Sequence, residues 1–362
     1  MRKLKIAVYT IALNESQFVK RFMSCVKDEA DYVFVSDTGS TDDTVKLLRE
    51  EGAHVTSIKV DPWRFDIPRN ISMAFIPADC DICVCIDLDE ILSPGWRDAI
   101  EASWTPTTDR LRYLYIWNML PNGSDGISYW YDKIMTRKNF RWVKPVHEVM
   151  AFYGDHPEIQ TYCPDFKLRH FPDSTKSRGS YLGLLEMGCR EEPEDDRNCH
   201  YLGREYMYYG QYDNAINELK RHLSLPRAQW DAERAASMRY IARCHVYKGE
   251  PLEATKWFTR AVAEAPGDRE PWVELGQHLY NLRDHVGAFA AMSKAIAIEN
   301  KPMSYICEPS AWGSLPWDIA GVCAAMLGLD QQAYDYTKKA HEFEPDDPRI
   351  KNNLHLATEK LK

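Results

Sequence analysis

The pattern of apolar and polar residues divides the chain into two regions with different periods. In the first region, short apolar runs alternate with amphipathic stretches, which is typical of a parallel sheet covered by helices. This pattern predicts strands at 6–12, 32–36, 54–60 and 82–86, and helices at 15–26 and 41–51. Between about 110 and 171 apolar and polar residues alternate around a turn-like segment at 121–126, so we expect a strand pair that completes a mixed sheet.

After about residue 195 a helical repeat replaces the strands. A glycine or alanine stands twelve residues before an alanine four times, at Gly203 and Ala215, Ala242 and Ala254, Gly276 and Ala288, and Gly321 and Ala333. Small residues with this spacing let two helices cross closely, and the segment resembles the tetratricopeptide repeat. We expect Pro226, Pro266 and Pro345 to end repeat units and a helix at about 347–361 to cap the array.

These patterns predict two domains. We expect an α/β domain at residues 1–190 and an all-α, tetratricopeptide-like helical repeat domain at residues 191–362. Repeat arrays of this kind bind peptides, proteins or a second copy of themselves. The second domain is therefore expected to bind an acceptor or partner, and it could also join two chains as a homodimer.

The composition and net charge disfavour several classes of protein function. The chain has 362 residues and a formal net charge of −9, which disfavours broad binding to nucleic acid or to anionic membrane. No apolar run approaches the roughly 20 residues that span a bilayer, so we expect a cytoplasmic protein without a membrane span. The ten cysteines show no regular spacing, which is typical of reduced thiols and disfavours a zinc site at Cys80, Cys83 and Cys85.

Three carboxylates, those of Asp87, Asp89 and Glu90, follow directly on the apolar run 82–86. The carboxyl end of a parallel strand is where α/β sheets bind ligands, and Mg²⁺ or Mn²⁺ prefers oxygen ligands. A solvated acidic turn is the alternative. A second segment, 33–44, brings Asp37 to the end of another predicted strand. That carboxylate could accept hydrogen bonds from a base or ribose, or only form part of a strand-to-helix turn.

Taken together, these motifs resemble one enzyme family. The motifs, in chain order, are Asn14-Glu15, the Asp37 turn, Arg69-Asn70 and Asp87-Leu88-Asp89-Glu90. Their order and spacing over about residues 5–180 resemble the GT-A fold glycosyltransferases of family 2, which transfer sugars from nucleotide diphosphate donors with inversion. The pairing of such a domain with tetratricopeptide repeats resembles the peptide S-glycosyltransferases of the sublancin type and related bacterial and phage enzymes.

The resemblance implies a role for each matching residue. Ala12, Asn14 and Glu15 would line the nucleotide, and Asp37 would contact the uracil or ribose. Asp89 would be the principal metal ligand, with Asp87 on the ribose or on a metal-bound water. Arg69 would approach the diphosphate, for which its planar guanidinium is well suited; a surface ion pair is the alternative.

Two later segments supply the remaining candidates. Glu148, in 140–150, is our first choice of general base, and Asp132 is the alternative; either could be a plain surface carboxylate. The resemblance also implies that His170 is a further metal ligand and that Lys176 and Arg178 belong to a loop that closes over the diphosphate. A structural histidine is the alternative for His170.

The sequence therefore favours a metal-dependent inverting glycosyltransferase that uses a UDP-sugar and Mn²⁺ or Mg²⁺. Its acceptor would be a protein, a peptide or a saccharide. A nucleotidyltransferase is disfavoured because the segment after the first strand has no glycine. Two hypotheses stay open beside this one: a binding scaffold whose transferase domain is inactive, and a transferase that acts on modified DNA.

Overall fold

The computed structural model describes residues 4–119, 123–173 and 179–362. It divides into two compact units, Met1–Gly188 with Met303–Tyr305, and Cys189–Pro302 with Ile306–Lys362. Among the described residues, no helix is both long and apolar enough to cross a membrane.

The first unit is a sheet flanked by helices. Its strands are β1 (Ile6–Ala12), β2 (Tyr32–Asp37), β3 (His54–Ser57), β4 (Ile82–Cys85), β5 (Glu90–Leu92), β6 (Arg110–Ile116), β7 (Ser128–Thr136), β8 (Phe140–Val143), β9 (Val149–Phe152) and β10 (Gln160–His170). Its helices are α1 (Ser16–Val26), α2 (Thr44–Glu50), α3 (Asp66–Ala74) and α4 (Trp96–Ser103), and α5 (Tyr181–Glu191) runs across the boundary between the units.

Eight strands form one mixed sheet in the order β3-β2-β1-β4-β7-β6-β10-β5. The strands β3, β2, β1 and β4 are parallel to one another, whereas β7 is antiparallel to both β4 and β6. The strands β8 and β9 form a separate antiparallel pair. The predicted α/β fold with a mixed sheet is confirmed.

Strand alternation gives the sheet two buried faces. On β1, Ile6 and Val8 pack in one core with residues of α1 and α4, while Ala7 and Tyr9 pack in a second core that includes Trp142 of β8. Burial on both faces explains why β1 and β4 read as continuous apolar runs. The cysteines of β4 follow the same rule, and all ten cysteines of the chain are free thiols.

The second unit is a series of helices: α6 (Asp196–Tyr208), α7 (Tyr212–Ser224), α8 (Asp231–Tyr247), α9 (Pro251–Glu264), α10 (Arg269–Asn281), α11 (His285–Ile296), α12 (Leu315–Met326), α13 (Asp330–Phe343) and α14 (Pro348–Lys360), with a short 3₁₀ helix, η1 (Pro309–Trp312), before α12. Consecutive helices pack as pairs, α6 with α7, α8 with α9, α10 with α11 and α12 with α13. The first helices of successive pairs also contact one another.

The repeat glycines lie where paired helices cross. A β-carbon added at Gly203 would stand 2.5 Å from Cγ of Leu219, and one at Gly276 would stand 3.0 Å from Cε of Met292. At Gly321 it would collide with Thr337. In each case the partner lies sixteen residues further on, so the sequence pattern marks one recurring helix crossing. The tetratricopeptide-like organisation is confirmed.

Candidate active site

The acidic turn lies at the carboxyl end of β4, where the sequence predicts it. β5 begins within this turn at Glu90 and pairs with the end of β10, with Glu90 opposite His170. The backbone N–H of Phe171 donates to the carbonyl of Asp89 at 2.9 Å. This strand pairing brings His170, eighty-one residues away in sequence, beside Asp89.

Asp89 and His170 form a mostly buried pair at the acidic turn. Nε2 of His170 lies 3.5 Å from Oδ2 of Asp89, and the side chains are 12% and 14% exposed for His170 and Asp89 respectively. Nδ1 of His170 donates to the carbonyl of Trp117 at 3.0 Å, which fixes the imidazole so that Nε2 points towards Asp89. Burial would lower the pKa of His170, but the hydrogen bond and negative charge of Asp89 raise it above its usual value.

Asp87, by contrast, has cations on both carboxylate oxygens. Oδ1 accepts from Nη1 of Arg69 at 2.8 Å, and Oδ2 accepts from Nζ of Lys133 at 3.3 Å. Burial would raise the pKa of Asp87, but these two positive charges lower it well below its usual value. Asp87 is therefore an ionised carboxylate that is already engaged by protein groups.

Glu90 lies behind the turn and is 2% exposed. Its oxygens accept from the backbone N–H of Asp87 and from the hydroxyl of Tyr115, each at 2.8 Å, and Nζ of Lys133 lies 3.5 Å away. The pKa of Glu90 is raised above its usual value, mainly because the carboxyl is buried. The charge of Lys133 lowers this pKa, whereas the charge of Asp87 raises it. Glu90 thus supports the turn from the inside.

Arg69 is a buried bridge between two carboxylates. Its Nε donates to Oε1 of Glu148 at 2.6 Å, its Nη1 bonds Asp87, and its guanidinium lies 5.2 Å from the ring of Trp142. The alternative of a surface ion pair is wrong, because the Arg69 side chain is only 6% exposed. Burial would lower the pKa of Arg69, but Asp87 and Glu148 raise it. Its predicted contact with a diphosphate stays a prediction.

The residues expected to line the nucleotide meet at the ends of β1 and β2. Ala12 pairs with Asp37 in the parallel ladder, and the carbonyl of Ala12 accepts from Thr38. The carboxylate of Asp37 accepts from the backbone N–H groups of Gly39 and Ser40 at 3.2 Å. Asp37 therefore does organise the turn, and a contact with uracil or ribose remains a prediction.

Asn14 and Glu15 tie the loop after β1 to the same turn. Asn14 has a left-handed backbone (φ 53°), and its side-chain oxygen accepts from the N–H of Thr41 at 2.7 Å. The N–H of Glu15 donates to Oγ1 of Thr44 at 2.7 Å. The helix predicted from Thr41 begins only at Thr44, and Thr41 and Asp42 bond the loop after β1 instead. These bonds fix the two loops against each other.

The two candidate bases lie in different surroundings. Glu148 lies in the loop between β8 and β9, where Arg69 holds its Oε1. No described residue bonds its Oε2. Asp132 pairs with Arg110 at 3.1 Å and makes no bond to the acidic turn among the described residues. Lys176 and Arg178 lie outside the described residues.

Three site residues escaped the sequence reasoning: Lys133, Tyr115 and Trp117. Lys133 is the buried cation between Asp87 and Glu90. Trp117 fixes His170 through its carbonyl, and its ring, 42% exposed, lies 4.8 Å from the imidazole. The signal for Lys133 in the sequence is a single lysine within the aromatic strand segment 128–136, where the neighbouring Asp132 is the more obvious candidate for chemistry.

Comparison with known proteins agrees with this geometry. Residues 7–102 match the model of glycosyl transferase family 2. Residues 7–102 of the first unit are therefore similar to a family 2 glycosyltransferase domain. The matched segment includes all of β1 except Ile6, and the acidic turn. The predicted enzyme class, a glycosyltransferase, is confirmed at this level.

Individual relatives cover different parts of the chain. A TPR repeat-containing protein of Synechococcus elongatus is 26% identical over 81% of this chain and 75% of its own length. An uncharacterized glycosyltransferase of Rickettsia prowazekii is 37% identical over 30% of this chain, and the match covers 36% of that protein. The glycosyltransferase SunS of the SPbeta prophage of Bacillus subtilis is 26% identical over 59% of this chain and 52% of its own length.

Solved structures that match the helical part of the chain have low sequence identity to it and low TM-scores. A MamA structure aligns with 49% of this chain and 99% of its own at 20% identity and a TM-score of 0.37. YrrB, described as a TPR protein with an unusual peptide-binding site, aligns with 50% of this chain and 83% of its own at 18% identity and a TM-score of 0.36.

Proposed function

We propose that the chain transfers a sugar, with inversion, from a UDP-sugar to a protein, peptide or glycan acceptor, and that transfer depends on Mn²⁺ or Mg²⁺. The observation that carries the proposal is the pair of Asp89 and His170 at the carboxyl end of β4. Asp87 is engaged by two cations, so of the two aspartates in the turn only Asp89 faces a potential metal.

The residues present fit a divalent cation that the donor helps to bind. Metal-binding histidines commonly donate their second ring nitrogen to a carbonyl, as His170 does to Trp117. No group of three or more potential ligands occurs among the residues that the structure describes. Asp89 and His170 would therefore hold the cation together with donor phosphate oxygens and water, as is usual for Mg²⁺. When bound, such a cation stabilises the negative charge of the departing nucleoside diphosphate.

Residues of the chain itself would bind the nucleotide, supply positive charge and accept the acceptor proton. Asn14 and Asp37 organise the loops where the nucleotide is expected, and Arg69 and Lys133 place positive charge next to the acidic turn. Glu148 is the proposed base: its free Oε2 would take the acceptor proton while Arg69 holds Oε1. As that proton leaves, the acceptor atom would bond the anomeric carbon on the face opposite the departing UDP.

The acceptor is assigned to the helical repeats, because solenoids of stacked helix pairs present extended binding surfaces. The net charge of −9 disfavours a nucleic acid acceptor. A homodimer through the repeats and a cytoplasmic location remain predictions from the sequence.

Donor hydrolysis tests the proposal without knowledge of the acceptor. With Mn²⁺, the wild-type chain should release UDP from at least one of UDP-glucose, UDP-galactose and their N-acetyl forms. Asp89→Asn should lose this activity by about a hundredfold or more, since a metal ligand is removed. Asp98→Asn, which removes an exposed carboxylate of α4, is the matched control and should keep full activity.

Two outcomes would overturn the proposal. Equal hydrolysis by wild type and Asp89→Asn would place the metal elsewhere. Failure of every UDP-, GDP-, CDP- and TDP-sugar to bind or to be hydrolysed would favour a repeat scaffold with an inactive transferase domain.

For the base, the Glu148→Gln chain should bind the donor but not transfer the sugar, whereas the Asp132→Asn chain should retain transfer.

A further inference from the structure

In the second unit, α6 and α8 carry a cluster of arginine and tyrosine side chains, in which Tyr201 and Tyr240 are buried and Tyr208 and Tyr247 are exposed. On α6 the spacing of four, three and four residues places Arg197, Tyr201, Arg204 and Tyr208 on one helix face. On α8, Tyr240, Arg243 and Tyr247 repeat the spacing of three and four. Because α6 contacts α8, we treat these seven residues as one surface, the Arg-Tyr face.

Within this face, tyrosine rings hold the guanidinium groups in place. Tyr201 lies between two arginines, with the Arg197 and Arg204 guanidinium carbons 4.9 and 4.5 Å from its ring centre. Arg204 also lies 5.9 Å from the ring of Tyr208. Tyr208 and Tyr247 are each 61% exposed. The arginines are thus fixed by aromatic packing, and part of the aromatic surface remains open to a ligand.

Arg204 differs from the arginines of α8 in its partners. Among the described residues, no carboxylate or other acceptor bonds its guanidinium, and its buried Nε has no hydrogen-bond partner. The neighbouring Glu205 is 6% exposed and makes no ion pair with it. Arg239 and Arg243, in contrast, both bond the carboxylates of Glu274 and Glu308. Positive charge on this surface is therefore neutralised near α10 but not at Arg204 of α6.

The surface continues into a cavity next to Tyr247. This cavity, about 330 Å³, lies between α8 and α10 and is lined by Tyr247, Phe258 and Gln277 and by Arg243 with its partners Glu274 and Glu308, so it suits an uncharged side chain of the ligand. A chain that lies across α6 and α8 could place one side chain in it. The ligand suggested by these features is extended, carries an anionic group for Arg204, and has groups that pack on tyrosine.

An acidic polypeptide satisfies these conditions better than nucleic acid. The guanidinium fork pairs well with a carboxylate, and tyrosine packs against peptide side chains. Nucleic acid binding requires many unneutralised cations along the path, whereas here Arg243 is already paired and the whole chain carries a charge of −9. A neutral saccharide could stack on the tyrosines but would leave Arg204 without a counter-charge.

We propose that the Arg-Tyr face binds an acidic, aromatic-containing segment of the polypeptide acceptor, with Arg204 as the residue that pairs with an Asp or Glu of that segment. The inference rests on the proposed function insofar as the bound polypeptide is the acceptor. Binding itself can be measured without transfer, so the two proposals can fail separately.

The experiment measures fluorescence anisotropy of labelled twelve-residue peptides with the full chain. One peptide alternates Glu, Tyr and Gly; the second has Gln in place of every Glu; and dT12 serves as the nucleic acid probe. The acidic peptide should bind more tightly than the Gln peptide or dT12, and its affinity should fall as salt rises. Arg204→Gln should weaken acidic-peptide binding about tenfold or more, because a charge-assisted hydrogen bond is lost.

Arg260→Gln is the matched control. Arg260 is exposed on α9 and also lies over a ring, 4.6 Å from Trp257, but it is outside the Arg-Tyr face. The Arg260→Gln chain should bind the acidic peptide like the wild type. Arg204→Lys, which keeps the charge but loses the planar fork, should fall in between and guards against a folding defect in Arg204→Gln.

The inference is overturned if the acidic and Gln peptides bind equally, if dT12 binds more tightly than either, or if Arg204→Gln and Arg260→Gln behave alike. UDP release is measured in parallel on the same samples. Loss of peptide binding with intact UDP release refutes the acidic-polypeptide site alone, and intact peptide binding without donor hydrolysis refutes only the proposed transfer.

Discussion

Removal of the Lys133 charge should destabilise the first unit more strongly than removal of the charge of an exposed lysine does. The Lys133 side chain is 7% exposed, and its ammonium lies 3.3 Å from Asp87 and 3.5 Å from Glu90. Lys133→Met would keep much of the volume but leave the buried carboxylate of Glu90 without a cation. Asp87 would still have Arg69 as a partner.

The expected size of the effect follows from burial. Removing one partner of a buried ion pair costs about 3–5 kcal/mol, because the remaining charge stays in a poorly solvated position. The same kind of pair at the surface contributes at most about 1 kcal/mol. Lys27 and Glu51 provide such a pair in the same unit, 2.9 Å apart, with side chains 44% and 29% exposed. Lys27→Met should therefore lower the free energy of unfolding much less than Lys133→Met does.

The stability of the first unit must be measured separately, because a chain with two units need not unfold in one step. Hydrogen exchange in a urea series, followed by mass spectrometry of peptides from β4 and β7, reports on that unit. The samples are kept free of divalent metal, so that ligand binding does not add to stability. Both lysine variants are compared with wild type under the same conditions.

A double variant separates charge from packing. In Lys133→Met with Glu90→Gln, the uncompensated charge is gone, and at least about half of the lost free energy should return. The reasoning is refuted if Lys133→Met costs no more than Lys27→Met. It is also refuted if Glu90→Gln leaves the cost of Lys133→Met unchanged, since Lys133 would then act through packing.

Two further predictions concern the repeat unit. Burial lowers the pKa of His200 to about 3, so this histidine stays neutral in the folded state while it protonates in the unfolded state below about pH 6.5. Its contribution to stability is thus lost as pH falls from about 6.5 towards 3, by about 2 kcal/mol between pH 7.5 and 5. Urea unfolding of the repeat unit should show this loss, and His200→Gln should show less of it; an equal pH dependence in both would contradict the prediction. Gly203→Ala should destabilise the repeat unit by about 1–3 kcal/mol, because the added β-carbon meets Leu219. Gly183→Ala on α5, which lies in the first unit and whose β-carbon would meet nothing within 4 Å, is the control and should leave the stability of the second unit unchanged in the same assay; the idea fails if both changes alter that stability equally.

Much of the fold could be predicted because it depends on local periodicity. β1 has the predicted bounds, and the predicted cap helix corresponds to α14. The helix crossings at Gly203, Gly276 and Gly321 follow from a spacing that is visible in the sequence. Local pattern also places the acidic turn at the end of β4. It does not predict β5, a short strand that begins at Glu90 and exists only because β10 pairs with it.

The site could be predicted only in part because its ion pairs are long-range. Arg69 and Glu148 are seventy-nine residues apart, and Lys133 and Asp87 are forty-six apart. No local pattern shows that these groups meet, or that Asp132 turns to Arg110 while Lys133 faces the acidic turn. The strand pattern made Asp87 and Asp89 candidates and the resemblance to a known family added His170, but the place of Lys133 depends on the register of β7 against β4.

The buried charges form an alternating series that gives the two aspartates of the turn different tasks. In order, the groups are Glu148, Arg69, Asp87, Lys133 and Glu90, each bonded to the next. Asp87 sits at the centre of this series with both oxygens occupied, so it is held in place and kept ionised. Asp89 lies outside it, facing His170. Because the turn is fixed through Asp87, the carboxylate of Asp89 stays outside this series and is paired only with His170 among the described residues.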